Sequence, residues 1–127
     1  RSQKGVLRGI HFQRKRPQGK LVSCNRGTVY DVVVDVSPES KTFGQYVGIE
    51  ISEDNHRQVW VPPGYGHGFC VMSNMADFQY KCTDFYCPED EGGVLWSDPD
   101  LEINWPVTDP IVSEKDRQLP LLEDMVL

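Results

Sequence analysis

The sequence has no long apolar run, and this absence bounds its class. No stretch of the 127 residues approaches the roughly 20 apolar residues that a membrane-spanning helix requires. No basic and then apolar leader precedes the first strand-like segment. We therefore expect a soluble, cytoplasmic protein with no membrane partner. The length, with 39% apolar residues, is enough for one core and too short for two, so we expect a single domain over residues 1–127.

Cysteine and histidine are both scarce, which weakens the case for a metal site. The chain has four cysteines and three histidines: Cys24, Cys70, Cys82 and Cys87, and His11, His56 and His67. Because the cysteines form no C-x-x-C pair, reduced packing thiols are favoured over disulfides or a zinc site. The histidines are never two residues apart, so the His-x-His pair of a β-barrel metal site is missing. We expect no metal and no other cofactor.

Acidic residues are missing from the first thirty positions, although the chain as a whole is acidic. The net charge is −6, and the first carboxylate is Asp31. Seven of the thirteen Lys and Arg residues fall within the first twenty positions. The acidic total disfavours nucleic acid as a partner, whereas the cationic segment predicts a local anion site, most simply for a phosphorylated small molecule. A solvated basic loop at residues 14–16 is the alternative explanation.

Motifs for nucleophilic catalysis are also absent. The chain has no G-x-S-x-G elbow, and no glycine-rich phosphate loop opens a helix. The reactive side chains that remain are His, Tyr, Lys, Arg and Asp. These groups can move a proton next to a carbonyl, because an imidazole takes the proton, a cation stabilises the enolate oxygen and a phenol returns a proton.

What the sequence does contain is a series of short strand patterns. The strongest is Thr28–Val36, where Asp31 and Asp35 share one face with valines. We expect both carboxylates to accept hydrogen bonds from neighbouring strands or loops rather than to perform acid–base work. Further strands are predicted at Gly5–Gln13, Lys20–Cys24, Gln45–Ile51, Gln58–Val61, Phe69–Met72, Asp77–Thr83 and Val94–Trp96. Of these, Phe69–Met72 and Asp77–Thr83 are predicted to form a hairpin across residues 73–76. Helical patterns are limited to single turns within residues 52–57 and 113–118, so the fold class is an all-β sandwich or barrel.

Two segments place polar residues where a ligand could approach. Within GVLRGIHFQ, Arg8 and His11 are three apart and would face opposite sides of a regular strand unless Gly9 permits a bulge. With a bulge, both side chains face one cavity. Without it, His11 is a hydrogen-bonded core histidine and Arg8 a surface charge. Within PPGYGHGF, two prolines and three glycines hold an irregular backbone around His67.

Eight motifs, in order along nearly the whole chain, resemble one enzyme family. They are GVLRGIHFQ, QGKLV, VYDVVVDV, TFG, VWVPPGYGHGF, YKCTDFY, LWSDPDLEINWP and SEKD. The chain is similar to the dTDP-4-dehydrorhamnose 3,5-epimerases. The resemblance implies a metal-independent, cupin-type jelly-roll β-barrel that acts as a homodimer on a dTDP-linked 4-keto-6-deoxyhexose. It also implies that this single domain is N-terminally incomplete relative to the family.

The resemblance also implies a role for each matched residue. His11 is the catalytic base, and Asp116 is the carboxylate that orients and polarises it. Lys20 binds the substrate and stabilises the enolate oxygen, and Tyr80 is the general acid on the opposite face of the sugar. Tyr86 stacks on the thymine. The other substrate contacts are Arg8 and His67, both on the phosphate side, with Glu91 and Lys115.

Several alternatives stay open at this point. The enzyme could epimerise one position only, carbon 3 or carbon 5, or the chain could be a non-catalytic relic that binds sugar nucleotides. Tyr80 could be a buried core tyrosine, because Phe78, Tyr80 and Cys82 alternate like a core face. The three tryptophans, Trp60, Trp96 and Trp105, are assigned to packing.

Overall fold

The computed structural model describes residues 2–14, 17–83 and 91–124. Within these ranges lie ten strands, one short helix and one 3₁₀ turn. The strands are β1 (Ser2–Gln3), β2 (Val6–Gln13), β3 (Lys20–Arg26), β4 (Thr28–Asp35), β5 (Tyr46–Ser52), β6 (Gln58–Val61), β7 (Tyr65–Val71), β8 (Met75–Cys82), β9 (Glu91–Gly93) and β10 (Ile111–Val112), followed by helix α1 (Glu114–Arg117) and the 3₁₀ turn (Leu122–Asp124). This content confirms the all-β prediction.

The strands form two sheets. One sheet has the order β1-β8-β3-β6, and the other has the order β10-β2-β7-β4-β5, with β9 pairing to β2. Apart from the parallel pair of β10 and β2, the described pairings are antiparallel. Strand β2 is therefore held on one edge by β7 and on the other by two short strands, β9 and β10. That position matters because β2 carries both Arg8 and His11.

The central strands of the six-stranded sheet, β4 and β7, are buried on both faces, which explains the nearly continuous valine run of β4. Between the sheets, Val29 packs with Val22 of β3 and Val59 of β6. On the outer face, Val32 and Val34 pack under residues 94–122, in a second cluster of buried residues that includes Ile10, Phe12, Val94, Leu101 and Leu122. The C-terminal third of the chain therefore covers this sheet from outside.

The predicted hairpin across residues 73–76 is wrong. Strand β7 pairs with β2 and β4, whereas β8 pairs with β1 and β3. The chain crosses from one sheet to the other between the two strands. Alternation within each strand reveals which side chains share a face, but it does not reveal whether consecutive strands pair or lie in opposite layers.

Other local predictions have mixed outcomes. The turn within residues 113–118 is helix α1, and Ser113 caps it by accepting a hydrogen bond from the Asp116 amide. Residues 53–55 form a hydrogen-bonded turn instead of a helical one. The strand predicted at Val94–Trp96 is wrong, because the strand at this place is β9, which ends at Gly93. Trp60 is 52% exposed, so its assignment to packing is wrong.

None of the helices in the described ranges is long and apolar enough to cross a membrane.

Candidate active site

A cavity of about 550 Å³ opens between the two sheets, and it gathers most of the predicted site residues. One wall consists of the six-stranded sheet and residues 113–116 at the start of α1. Strands β3 and β8 form the opposite wall. Eight of the nine predicted residues line this cavity, namely Arg8, His11, Lys20, His67, Tyr80, Glu91, Lys115 and Asp116. The ninth, Tyr86, lies outside the described residues, so its stacking role stays a prediction.

A bulge in β2 brings Arg8 and His11 to the same cavity, which decides between the two alternatives that the sequence left open. The register with β7 shifts between these two residues, and Gly9 between them has φ of 113°. A Cβ at Gly9 would lie 2.7 Å from both the carbonyl oxygen of His67 and the Cα of Gly68. Glycine is therefore required both for the backbone conformation and for the close approach of β7.

His11 and Asp116 form a hydrogen-bonded pair at the cavity wall, as expected. The Nε2–H of His11 donates to Oδ1 of Asp116 at 2.6 Å, and the amide of Gly9 donates to Oδ2 at 3.1 Å. The carboxylate is held from the other side by its place in α1, which Ser113 caps. Asp116 thus connects the bulge of β2 to the short helix, and the orientation of the imidazole follows from both.

The charge of Asp116 is favoured by these contacts. Burial by itself would raise the pKa of this carboxyl group, but the hydrogen bond and charge of His11, with the Gly9 amide and the charge of Lys115, bring the pKa below its usual range. An ionised carboxylate only accepts hydrogen bonds, so His11 donates through Nε2 and keeps Nδ1 as its basic nitrogen. The His11 side chain is 28% exposed, which leaves it accessible from the cavity.

Glu91 and Lys115 form an ion pair at the edge of the same group. The Nζ of Lys115 lies 3.1 Å from Oε1 of Glu91, and that oxygen is 3.8 Å from Nε2 of His11. The Lys115 side chain is 65% exposed, whereas that of Glu91 is 11% exposed. The cation is therefore at the rim of the cavity, where it can contact an anionic ligand, and the carboxylate lies deeper.

Lys20 and Tyr80 occupy the opposite sheet. The Nζ of Lys20 lies 5.3 Å from the centre of the Tyr80 ring, a cation–π contact. Burial lowers the pKa of Lys20 from its usual value, although the nearby charges of Glu91 and Asp31 oppose that shift. Tyr80 is 53% exposed, so the alternative of a buried core tyrosine is wrong. Both groups face the cavity wall that holds His11.

A second histidine–carboxylate pair lies beside the first. The Nε2–H of His67 donates to Oδ1 of Asp31 at 2.6 Å, and both side chains are buried. The expectation that Asp31 accepts a hydrogen bond from a neighbouring strand is confirmed. The same expectation is confirmed for Asp35, whose partners lie in a loop. It accepts hydrogen bonds from the amide of Ser37 and from the hydroxyls of Ser40 and Thr42.

Sequence reasoning missed the partnership of Asp31 with His67. The two residues are 36 positions apart, on β4 and β7, and no local motif joins them. The alternation of β4 placed Asp31 on an apolar face, and a buried carboxylate needs a hydrogen-bond partner. That rule predicts a partner without identifying it.

Among the described residues, no group of three or more His, Cys, Asp or Glu side chains is placed to hold a metal ion.

Comparison with known proteins identifies the family. The family model described as dTDP-4-dehydrorhamnose 3,5-epimerase matches residues 1–124. The enzyme of that name from Pseudomonas aeruginosa is 54% identical over 119 residues, which cover 93% of this chain and 66% of the relative. A dTDP-4-dehydrorhamnose 3-epimerase from Streptomyces niveus is 42% identical and covers 97% of this chain and 60% of that protein.

A solved structure agrees with the sequence matches. The dTDP-6-deoxy-D-glucose-3,5-epimerase of Legionella pneumophila, crystallised with dTDP-4-keto-L-rhamnose, superposes with a TM-score of 0.95 at 52% identity. The match covers 98% of this chain and 67% of that one. The likeness confirms the predicted cupin-type jelly roll. The chain spans about two thirds of the length of these relatives. With the motifs, the two-sheet fold and the matched relatives in agreement, the chain belongs to the dTDP-4-dehydrorhamnose 3,5-epimerase family.

Proposed function

We propose that this chain carries the active site of an isomerase that epimerises carbons 3 and 5 of dTDP-4-dehydro-6-deoxyglucose to give dTDP-4-dehydrorhamnose. The observation that carries the proposal is the His11–Asp116 pair, which faces Lys20 and Tyr80 across one cavity. The ligand named for the Legionella relative, dTDP-4-keto-L-rhamnose, is the product of this reaction. No metal or other cofactor is needed for these steps.

The first step is removal of a proton by His11. Carbons 3 and 5 both flank the ketone at carbon 4, so a proton lost from either carbon gives an enolate on the same oxygen. The Nδ1 of His11 accepts the proton, and the ionised Asp116 stabilises the imidazolium that forms. One base can serve both carbons if the sugar presents each of them in turn.

Lys20 supplies the cation for the enolate oxygen. Its ammonium is partly desolvated by burial, and a charge in such a site interacts with a developing oxyanion more strongly than it would in water. The Lys20 side chain extends from β3, in the sheet opposite His11. The ketone oxygen would therefore point towards β3 while the reacting carbon faces β2.

Inversion requires that the proton return to the other face of the sugar, and Tyr80 is the donor for that step. Strand β8 lies in the sheet opposite β2, so Tyr80 and His11 approach the cavity from different walls. A single acid–base group would return the proton to the face from which it came. The phenol of Tyr80, which lies next to the cation of Lys20, donates this proton. Because Tyr80 is about half exposed, it then regains a proton from solvent.

The remaining residues bind the substrate. Arg8 and Lys115 are exposed cations at the cavity, suited to the diphosphate, and Glu91 adds a carboxylate beside the base. Tyr86 is proposed to stack on the thymine. We further propose that the enzyme is a homodimer that acts in the cytoplasm. The buried free thiols of Cys24 and Cys70 support a reducing compartment.

Deuterium wash-in followed by NMR tests the function. The protein is incubated with dTDP-4-dehydro-6-deoxyglucose in ²H₂O, and we expect deuterium at carbon 3 and carbon 5 with inversion at both. Exchange at carbon 3 alone would select the single-position activity named for the Streptomyces niveus relative. Binding of dTDP with no exchange at either carbon would contradict the proposal and favour a non-catalytic sugar-nucleotide-binding protein.

A further inference from the structure

Two histidines line the cavity, and each is paired with a carboxylate, but the proposed reaction uses only the His11–Asp116 pair as an acid–base unit. His11 and His67 are partners in the register of β2 and β7, so their side chains are neighbours across the strands. In both pairs the distance from Nε2 to Oδ1 is 2.6 Å. The pairs differ in burial, since the side chain of His67 is 6% exposed and that of His11 is 28% exposed.

The His67 ring is held on two sides. Its Nε2 is bound by Asp31, and its face stacks on Phe78 with the ring centres 6.1 Å apart and the planes 15° apart. The remaining nitrogen, Nδ1, makes no hydrogen bond to any described residue. The other oxygen of Asp31, Oδ2, is buried, and among the described residues it is the single buried side-chain N or O atom with no hydrogen-bond partner. Because His67 lines the cavity and Asp31 occupies its Nε2, Nδ1 is the ring nitrogen available to a ligand.

The carboxylate determines what Nδ1 can do. Because Asp31 only accepts hydrogen bonds, it selects the tautomer of His67 that carries its proton on Nε2. In the neutral ring, Nδ1 is then an acceptor, which suits an O–H group and does not suit a phosphate oxygen. The ring lies beside His11, so the hydroxyl it meets belongs to the sugar, near the carbon that loses its proton.

We propose that Asp31 is a positioning residue, which holds His67 so that Nδ1 accepts a hydrogen bond from a hydroxyl group of the hexose ring. The proposal rests on the proposed function, because it deepens the account of the same site. It assigns His67 to the sugar, whereas the resemblance implies the phosphate side. Asp31 acts through His67 and does not touch the substrate.

Binding measurements with two stable probes test the assignment. Asp31→Asn replaces the carboxylate by an amide that can donate as well as accept, so the tautomer is no longer selected. We expect affinity for dTDP-glucose to fall about tenfold, the scale of one hydrogen bond, and affinity for dTDP to stay within about twofold. Calorimetry measures both. Equal loss for the two probes would assign His67 to the diphosphate, and no loss for either would show a structural pair; each outcome overturns the proposal.

Asp35→Asn is the matched control. Asp35 lies four residues along the same strand, on the same face, and is also buried, but its partners are Ser37, Ser40 and Thr42. We expect this variant to lose stability without changing the ratio of the two affinities. A change in that ratio as large as that of Asp31→Asn would contradict the specific role of Asp31.

A spectroscopic test needs no variant. Imidazole ¹⁵N NMR of the unmodified protein at about pH 8 should show His67 protonated on Nε2 and bare on Nδ1. The Nδ1 resonance should shift when dTDP-glucose binds and stay nearly unchanged with dTDP. A proton on Nδ1 in the free protein would overturn the proposal. None of these measurements depends on turnover, so failure of the isotope exchange would leave them interpretable.

Discussion

The central strands of the six-stranded sheet are buried on both faces, but the two faces are built differently. The outer face is apolar, with Ile10 and Phe12 of β2 packed against Val32 and Val34 under the C-terminal segment. The inner face is apolar only in part, because at the cavity it carries His11 and the His67–Asp31 pair. The comparison shows that one strand can serve stability and chemistry at once, since alternate residues of β2 point to a packed layer and to a ligand site.

Substitution of His11 should remove the chemistry of the inner face and leave the packing of the outer face intact. It has the largest expected effect of the substitutions considered. His11→Ala removes the proton acceptor and should lower kcat by about 10²–10⁴-fold. Circular dichroism should still show a folded protein, with a urea midpoint lowered because Asp116 loses its hydrogen bond to the imidazole. The isotope-exchange assay measures the rate. His56→Ala, at an exposed loop histidine, is the control and should retain full activity. A folded His11→Ala variant with a near-parental rate would show that His11 is structural.

Changing Leu101 should weaken the outer face alone. This residue is 3% exposed and packs in the outer cluster, so Leu101→Ala should reduce the free energy of unfolding by about 2–5 kcal/mol through lost burial and a cavity. Urea titration measures the loss, and activity per folded molecule should be unchanged at low temperature. Leu21→Ala, at a leucine of β3 that is 36% exposed, is the control and should reduce the free energy of unfolding far less. Equal losses in the two variants would mean that the outer layer is not a packed core.

The Asp116 carboxylate links the inner face to α1, and its contribution should depend on pH. Its pKa in the folded protein lies below the unfolded value of about 3.8, so its contacts stabilise the fold above that value and lose their effect as the pH falls through the folded pKa. The stability difference between the parent and Asp116→Asn should therefore be present at pH 6 and shrink below pH 4. Urea midpoints across this range measure it. A difference that stays constant down to pH 2 would contradict the ionised His11–Asp116 pair.

Much of the inner face could be predicted from the sequence. A bulge at Gly9, which would bring Arg8 and His11 to one side of the strand, was one of two alternatives, and the resemblance pointed to Lys20 and Asp116 as their neighbours. The pairing of Asp31 with His67 could not be predicted, because it depends on the register of β4 against β7. The exposure of Trp60 could not be predicted either. Alternation shows which side chains share a face of the strand, but not whether that face packs against another layer.

By itself, the sequence determined most of the strands and the capped turn that contains Asp116, and it offered the bulge as one of two alternatives. Each depends on neighbours within a few residues: alternation with period two, a glycine that adopts a positive φ, and a serine three positions ahead of an aspartate. The tertiary structure alone decided that β7 and β8 belong to different sheets and which carboxylate meets which imidazole. His11 and Asp116 are 105 positions apart, and His67 and Asp31 are 36 apart. Such pairs arise only when the packing of two apolar faces fixes the layer and register of every strand.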